Sequence, residues 1–329
     1  MKMFIYAARE FDEIGYAAEA AQKYGCEFGW TSQYPDLNTA ELASGCDAIS
    51  FTPCTFDSSL VQKFSSLGVK YFTLRSIGFE HVDMDECKRQ GIKVSNTTYT
   101  PNGVANYAIM LMLMCLRNMA HILKRSEVQD FSLKGKIGKD ISACTVGIIG
   151  TGRIGATAIK HLSGFGCKIL AFDVFENDEV KKYAEYVSLD ELLQKSDVIS
   201  IHAPSNEATF HLINDESIAK MKDGVVIVNT ARGTIIDTPA LIRGIESGKI
   251  GAAALDVLEK EDGLYYYNRA GEVIVNHEMA ILRSYPNVIL APHTAFYTDE
   301  DVQSMIEHNF ESLYLFETGK ENPLELKIK

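Results

Sequence analysis

Three side chains that could work together, Arg232, Glu259 and His293, stand in the segments Val228-Asn229-Thr230-Ala231-Arg232-Gly233, Ala254-Leu255-Asp256-Val257-Leu258-Glu259 and Leu290-Ala291-Pro292-His293-Thr294-Ala295. Each segment ends or follows a strand-like run, and in a parallel sheet that is the edge where ligands bind. A guanidinium fork can hold a carboxylate and polarise the oxygen on the adjacent carbon. An imidazole titrates near working pH, so His293 can take a hydroxyl proton and return it. A glutamate beside it favours the imidazolium and fixes the ring's orientation. Taken singly, each residue also has a bland reading: a surface ion pair, a solvated acid before Lys260, a loop histidine.

A second constellation is contiguous. Gly150-Thr151-Gly152-Arg153-Ile154-Gly155 directly follows the strand-like run Thr145-Ile149 and opens a helical stretch, Arg153-Phe165. Glycines there let the backbone turn tightly and lie against a pyrophosphate, whose charge meets the amides of the helix start. Asp173 ends the next run, Lys168-Phe172, where a carboxylate can accept both ribose hydroxyls. It would repel a 2′-phosphate, and Val174-Phe175-Glu176 offer no cation to pair with one. The expected cofactor is NAD.

The elements that must position these residues come in two alternating series. Lys2-Tyr6, Phe11-Tyr24, Ala48-Phe51, Ser58-Ser66, Lys70-Arg75 and Lys93-Ser95 form the first. The second runs from Thr145-Ile149 through Ser188-Lys195, Val198-His202, Ile218-Met221, Val225-Asn229, Pro239-Gly248 and Ala252-Asp256 to Val288-Ala291. Such alternation predicts parallel sheets with helices on their faces. Between the series, Val104 to about Lys124 reads as one helix, apolar on nearly every side. A helix of that kind must be buried all round, and a second subunit is one cover for it, the core of its own chain the other. A polar, aromatic loop runs from Asp256 to Glu278, and a helix from about Asp299 to Thr318 closes the chain.

Bulk properties bound the partners. A chain of 329 residues is long for one core and suggests two domains with a cleft. Its formal net charge of -12 disfavours nucleic acid and anionic lipid. No apolar run is long enough to cross a bilayer, and Met1 to Arg9 is too short and mixed for a signal peptide, so a cytoplasmic location is expected. Seven scattered cysteines without a C-x-x-C pair suggest neither a disulfide framework nor a metal site.

With Arg75-Ser76-Ile77-Gly78, Tyr99-Thr100-Pro101-Asn102 and Pro292-His293-Thr294-Ala295-Phe296-Tyr297 added to these motifs, the chain resembles the D-isomer-specific 2-hydroxyacid dehydrogenases over nearly its whole length, most of all their D-lactate dehydrogenase branch. The resemblance implies two doubly wound parallel-sheet domains. A Rossmann-type cofactor domain, 100–296, would be inserted into a flavodoxin-like substrate domain made of 1–99 and 297–329. It also implies Arg232 as substrate binder, His293 as acid/base and Glu259 as its partner. Ile77 and Gly78 would offer amides to the substrate carboxylate, with Phe296 nearby, and Asp256 would lie near the nicotinamide. Tyr99, Pro204, Thr230 and Ala231 would line the cofactor channel, with His202 as a cofactor-side residue or a packed structural one. The helix from Val104 would be the contact of a homodimer. Relatives of one branch lack the ribose acid and use NADPH, and here Asp173 decides for NAD. Lactate-selective relatives place a tyrosine near Thr52; none aligns here, so a larger 2-oxo acid than pyruvate could enter, unless Phe296 and Phe131 refill the space. The expected activity is reversible reduction of a 2-oxo acid to the (R)-2-hydroxy acid. The alternative is a nicotinamide-sensing, corepressor-like binding protein on the same scaffold.

Overall fold

A strand followed by a helix returns to its sheet in the same direction, so alternating runs of this kind build parallel sheets. The computed structural model describes residues 1–261 and 263–327. Two compact units emerge: Met1–Thr100 with Tyr297–Lys329, and Pro101–Phe296.

In the first unit, β1 (Lys2–Ile5), β2 (Glu27–Trp30), β3 (Ala48–Phe51), β4 (Tyr71–Leu74) and β5 (Lys93–Ser95) lie in the order β2-β1-β3-β4-β5. Every pairing is parallel, with Met3 opposite both Phe28 and Ala48. This is the flavodoxin-like order. The central strand β3 is buried along its whole length, its one polar side chain, Ser50, donating to Asn309 Oδ1 at 2.6 Å. On one face Phe51, Phe56, Phe64 and Phe72 pack together. On the other, Met3 and Ile5 meet Ile306, Phe310 and Leu313 of the helix Asp299–Glu317. Thr298 caps that helix by accepting from the amide of Asp301, and three acids occupy its first turn, where the helix dipole favours them.

The second unit adds β6 (Thr145–Ile149), β7 (Lys168–Phe172), β8 (Glu185–Tyr186), β9 (Val198–Ile201), β10 (Val225–Asn229), β11 (Ile250–Leu255) and β12 (Val288–Leu290). Their order is β12-β11-β10-β9-β6-β7-β8, all parallel. The order reverses between β6 and β9, which makes a Rossmann-type sheet with its switch point at the end of β6.

The apolar stretch after Val104 differs from its expected single helix. It breaks at Asn118, whose φ of 52° is left-handed, into Asn102–Leu116 and Met119–Glu127, set at 65° to each other. Asparagine tolerates that conformation, and Asn118 Nδ2 donates to the Ile137 carbonyl at 2.7 Å. Residues Ala108, Ile109, Leu111, Met112, Cys115 and Leu116 are buried in the unit's own core against Val146, Ile159 and Val228. The sheet therefore covers most of what the periodicity assigned to a second subunit. The apolar side chains that do stand exposed are Met110 in the first helix and, beyond it, Leu123, Val128, Phe131, Leu133 and Ile137. Among the described residues no single helix is long and apolar enough to cross a membrane.

Candidate active site

Gly150 leaves β6 at φ 92°, and a Cβ there would sit 2.6 Å from the Ala203 amide nitrogen, so packing and backbone both demand glycine. Gly152 is different: an added Cβ would meet nothing within 4 Å. Its neighbours in the chain do not require a glycine, whereas a ligand lying against the start of helix Arg153–Leu162 does. Arg153 is exposed on that first turn and Ile154 half-buried, while Gly155 packs against the Gly150 carbonyl. Asp173 stands just past β7. Its Oδ2 accepts from the Thr151 amide at 2.6 Å and the Thr151 hydroxyl at 3.1 Å, and its Oδ1 from the Phe175 amide at 3.2 Å. The carboxylate is thus fixed at the rim of the glycine turn. Thr230, past the end of β10, is buried with a hydroxyl that has no protein partner. A glycine turn with open space, a fixed acid and an orphaned hydroxyl, past the ends of β6, β7 and β10 of one parallel sheet, fit a dinucleotide.

His202, past β9, places Nε2 3.0 Å from the Ser200 hydroxyl, and burial pushes its pKa down to about 4. That keeps the ring neutral near pH 7, although His202 retains partial solvent exposure. Pro204 is exposed and its carbonyl accepts from the Thr209 hydroxyl at 2.7 Å.

Asn229 shapes the next loop: its Oδ1 accepts from the Ala231 amide at 2.9 Å and its Nδ2 donates to the Arg232 carbonyl at 2.9 Å. A Cβ on Gly233 would lie 2.2 Å from the Leu258 carbonyl carbon, so this glycine lets the loops after β10 and β11 touch. Arg232 is half-buried and donates through Nη1 to the Ala231 carbonyl at 2.8 Å. No carboxylate pairs with it among the described residues.

Asp256 is fully buried and spends both oxygens on the following loop, accepting from the amides of Thr294 at 2.8 Å and Ala295 at 2.9 Å. The amide of His293 donates to the Asp256 carbonyl at 2.8 Å. These bonds hold His293 at φ 54°, a left-handed conformation that costs a non-glycine residue free energy and persists only where its surroundings fix it. Burial raises the Asp256 pKa, against the lowering effect of the two amides. Asp256, expected beside the nicotinamide, organises the His293 turn.

The partner of His293 differs from expectation. Its Nδ1 lies 2.6 Å from Glu261 Oε1, and Glu261 Oε2 accepts from the Leu258 amide at 2.8 Å. Glu259 instead faces His211, whose Nε2 is 2.7 Å from Oε1, and Thr238, whose amide and hydroxyl donate to Oε2 at 3.0 and 2.7 Å. The cause lies between them: Lys260 adopts φ 57°, so the chain reverses and two acids two residues apart diverge. Nothing in the run Glu259-Lys260-Glu261 announces that reversal, and His211 carried no motif that could have flagged it. Phe296 approaches His293 edge-on, with ring centroids 6.4 Å apart, and the Tyr266 hydroxyl donates to the His293 carbonyl at 2.9 Å.

In the first unit, the Ile77 carbonyl accepts from Asn96 Nδ2 at 2.9 Å and the Gly78 carbonyl from the Ser76 hydroxyl at 2.6 Å. The amides of Ile77 and Gly78 donate to no partner among the described residues. Tyr99 is half-buried near that unit's boundary, Thr52 is half-buried after β3, and Phe131 of the second unit is 76% exposed.

Comparison with known proteins places this arrangement. Residues 109–295 match the family model for the D-isomer specific 2-hydroxyacid dehydrogenase, NAD binding domain. The chain is 42% identical over 320 residues to an aromatic 2-oxoacid reductase of Clostridium sporogenes, covering 96% of each chain. It is 37% identical over 331 residues to a D-lactate dehydrogenase of Lactobacillus delbrueckii subsp. bulgaricus, covering 99% of each. The solved structure of a D-2-hydroxyisocaproate dehydrogenase superposes with a TM-score of 0.90 at 35% identity, covering 99% of each chain. With its strand order, its glycine turn and the carboxylate of Asp173 fixed beside that turn, the chain belongs to the D-isomer-specific 2-hydroxyacid dehydrogenases and is an NAD-dependent enzyme of that family.

Proposed function

We propose that the enzyme reversibly reduces a 2-oxo acid, pyruvate or a larger branched or aryl analogue, to the (R)-2-hydroxy acid. Bound NADH supplies the hydride. Arg232 holds the substrate carboxylate and polarises the C2 oxygen. His293 gives its proton to that oxygen from Nε2, the nitrogen that Glu261 leaves open, and Glu261 stabilises the imidazolium and holds the ring. The Ile77 and Gly78 amides, which donate to no partner among the described residues, are proposed as carboxylate donors. The observation that carries this reading is the Nδ1 contact of His293 with a carboxylate, in one unit with an arginine that has no carboxylate partner there.

The relatives' names span aromatic, branched-chain and lactate-forming enzymes, and each is that of a reductase or dehydrogenase, so the binding-protein alternative is not favoured. NADH absorbance with pyruvate, 2-oxoisocaproate and phenylpyruvate separates the substrates. Turnover of at least one is expected, and none with any 2-oxo acid would overturn the reading. The same proposal includes a homodimer, with Leu123, Val128, Phe131, Leu133 and Ile137 as the apolar surface to be covered. Light scattering at twice the mass of the chain is the expected result.

A further inference from the structure

Glu261 has few anchors of its own. Its carboxylate touches His293 and the amide of Leu258, which belongs to the same loop. Glu259 is tied to two other elements. Thr238 opens the helix Thr238–Glu246, and its amide is one of the helix-start donors that have no partner within the helix. His211 is itself fixed: its amide donates to the Thr234 carbonyl at 3.0 Å, its carbonyl accepts from Asn214 Nδ2 at 2.9 Å, and its ring stacks on Phe210 with centroids 3.9 Å apart. From the far side, Asn276 Nδ2 reaches the carbonyls of Glu259 and Lys260, each at 3.3 Å.

We propose that Glu259, clamped by His211 and Thr238, is a positioning residue for the acid/base pair: it fixes the loop whose reversal at Lys260 delivers Glu261 to His293. The proposal rests on the reading of His293 as acid/base. Its chemical logic is that a charge-assisted contact of 2.6 Å tolerates little displacement, while a misplacement of about 1 Å at a reacting group costs on the order of 100-fold in rate. Two carboxylates divide the work, one holding the backbone and the other the imidazole.

The test uses the full chain with NADH and whichever 2-oxo acid it reduces, together with the NMR resonance of the proton that His293 Nδ1 shares with Glu261. In Glu259→Ala, kcat falls roughly 10- to 100-fold with a smaller change in KM, and that resonance is weakened or lost because the carboxylate partner is no longer held in place. Glu259→Gln, which can still bond Thr238 and His211, restores most of the rate and the resonance. His211→Ala moves both in the same direction as Glu259→Ala, by less. A folded Glu259→Ala protein with unchanged kcat and an unchanged resonance overturns the proposal. So does one with a lower melting temperature and an unchanged resonance, which is the signature of a purely structural role. Should Glu259→Ala fail to fold, the Glu259→Gln and His211→Ala pair decides by the same resonance. If the wild type reduces no 2-oxo acid, the function falls, while the resonance still reports whether the clamp holds Glu261 on His293.

Discussion

His293 meets Glu261 through Nδ1 at 2.6 Å, whereas His211 meets Glu259 through Nε2 at 2.7 Å. The partners are chemically the same, yet the choice of nitrogen separates their uses. A ring bonded at Nδ1 keeps its outer nitrogen for a proton transfer, and the carboxylate behind it stabilises the charge that forms. A ring bonded at Nε2 has spent that outer nitrogen on the protein. The carboxylates differ in parallel: Glu259 takes three side-chain or backbone bonds from outside its loop, and Glu261 takes one. On the proposed function, one pair moves a proton and the other stays still. The largest effect expected from breaking this comparison follows: His293→Ala lowers kcat about 10²- to 10⁴-fold, the usual worth of a general acid/base, and His211→Ala far less. Near-normal turnover in His293→Ala would exchange the two assignments.

Removing the charge behind each ring gives the next largest effect. Glu261→Gln should lower kcat by roughly 10-fold or more, because the ring of His293 loses the charged partner that holds it at 2.6 Å. Glu259 speaks through stability as well. Burial works against its charged form, but the bonds from His211 and Thr238 outweigh it and hold the carboxyl below its ordinary value of 4.5. A carboxyl depressed in the folded state contributes stability that is full above 4.5 and is lost as pH falls through the folded value. Acid unfolding below pH 4.5 should therefore have a shallower dependence in Glu259→Gln than in the wild type, and an identical dependence would remove the clamp's charge from the account.

The two pairs also mark where sequence reading reaches its limit. Gly150, Gly152 and Asp173 could be read because their chemistry is local: a strand, a tight turn and the end of the next strand lie in a fixed order along the chain. His293 and Arg232 were legible as strand-end residues for the same reason. Glu261 was not, since choosing it over Glu259 depends on the left-handed φ of Lys260, which a lysine does not advertise. The edge strands β2 and β8 escaped notice because one-sided burial leaves their residues partly exposed and without an apolar pattern. The helix Asn102–Leu116 shows the opposite failure. Its all-round apolar character was plain, but what buries it is the sheet of its own unit, and periodicity tells that a face is covered without telling by what.

Tyr265 supplies the smallest effect and the finest test of the contrast. It is 6% exposed, follows Glu261 in the same loop, and its hydroxyl is buried with no partner among the described residues. Burial, then the negative charges of Glu261 and Asp256, push its pKa upward, so it stays a neutral phenol. An unsatisfied buried hydroxyl costs about 1 kcal/mol or more, and phenylalanine would fill the same space without that cost. Tyr265→Phe should therefore raise the melting temperature by a few degrees, on the order expected for 1 kcal/mol in a domain of this size. If the hydroxyl serves only packing, the pH–rate profile stays where it was. A profile shifted upward in Tyr265→Phe would mean that the phenol donates to Glu261 during turnover and weakens its hold on the His293 proton, placing a third group on the mobile-proton side of the comparison and none on the clamp.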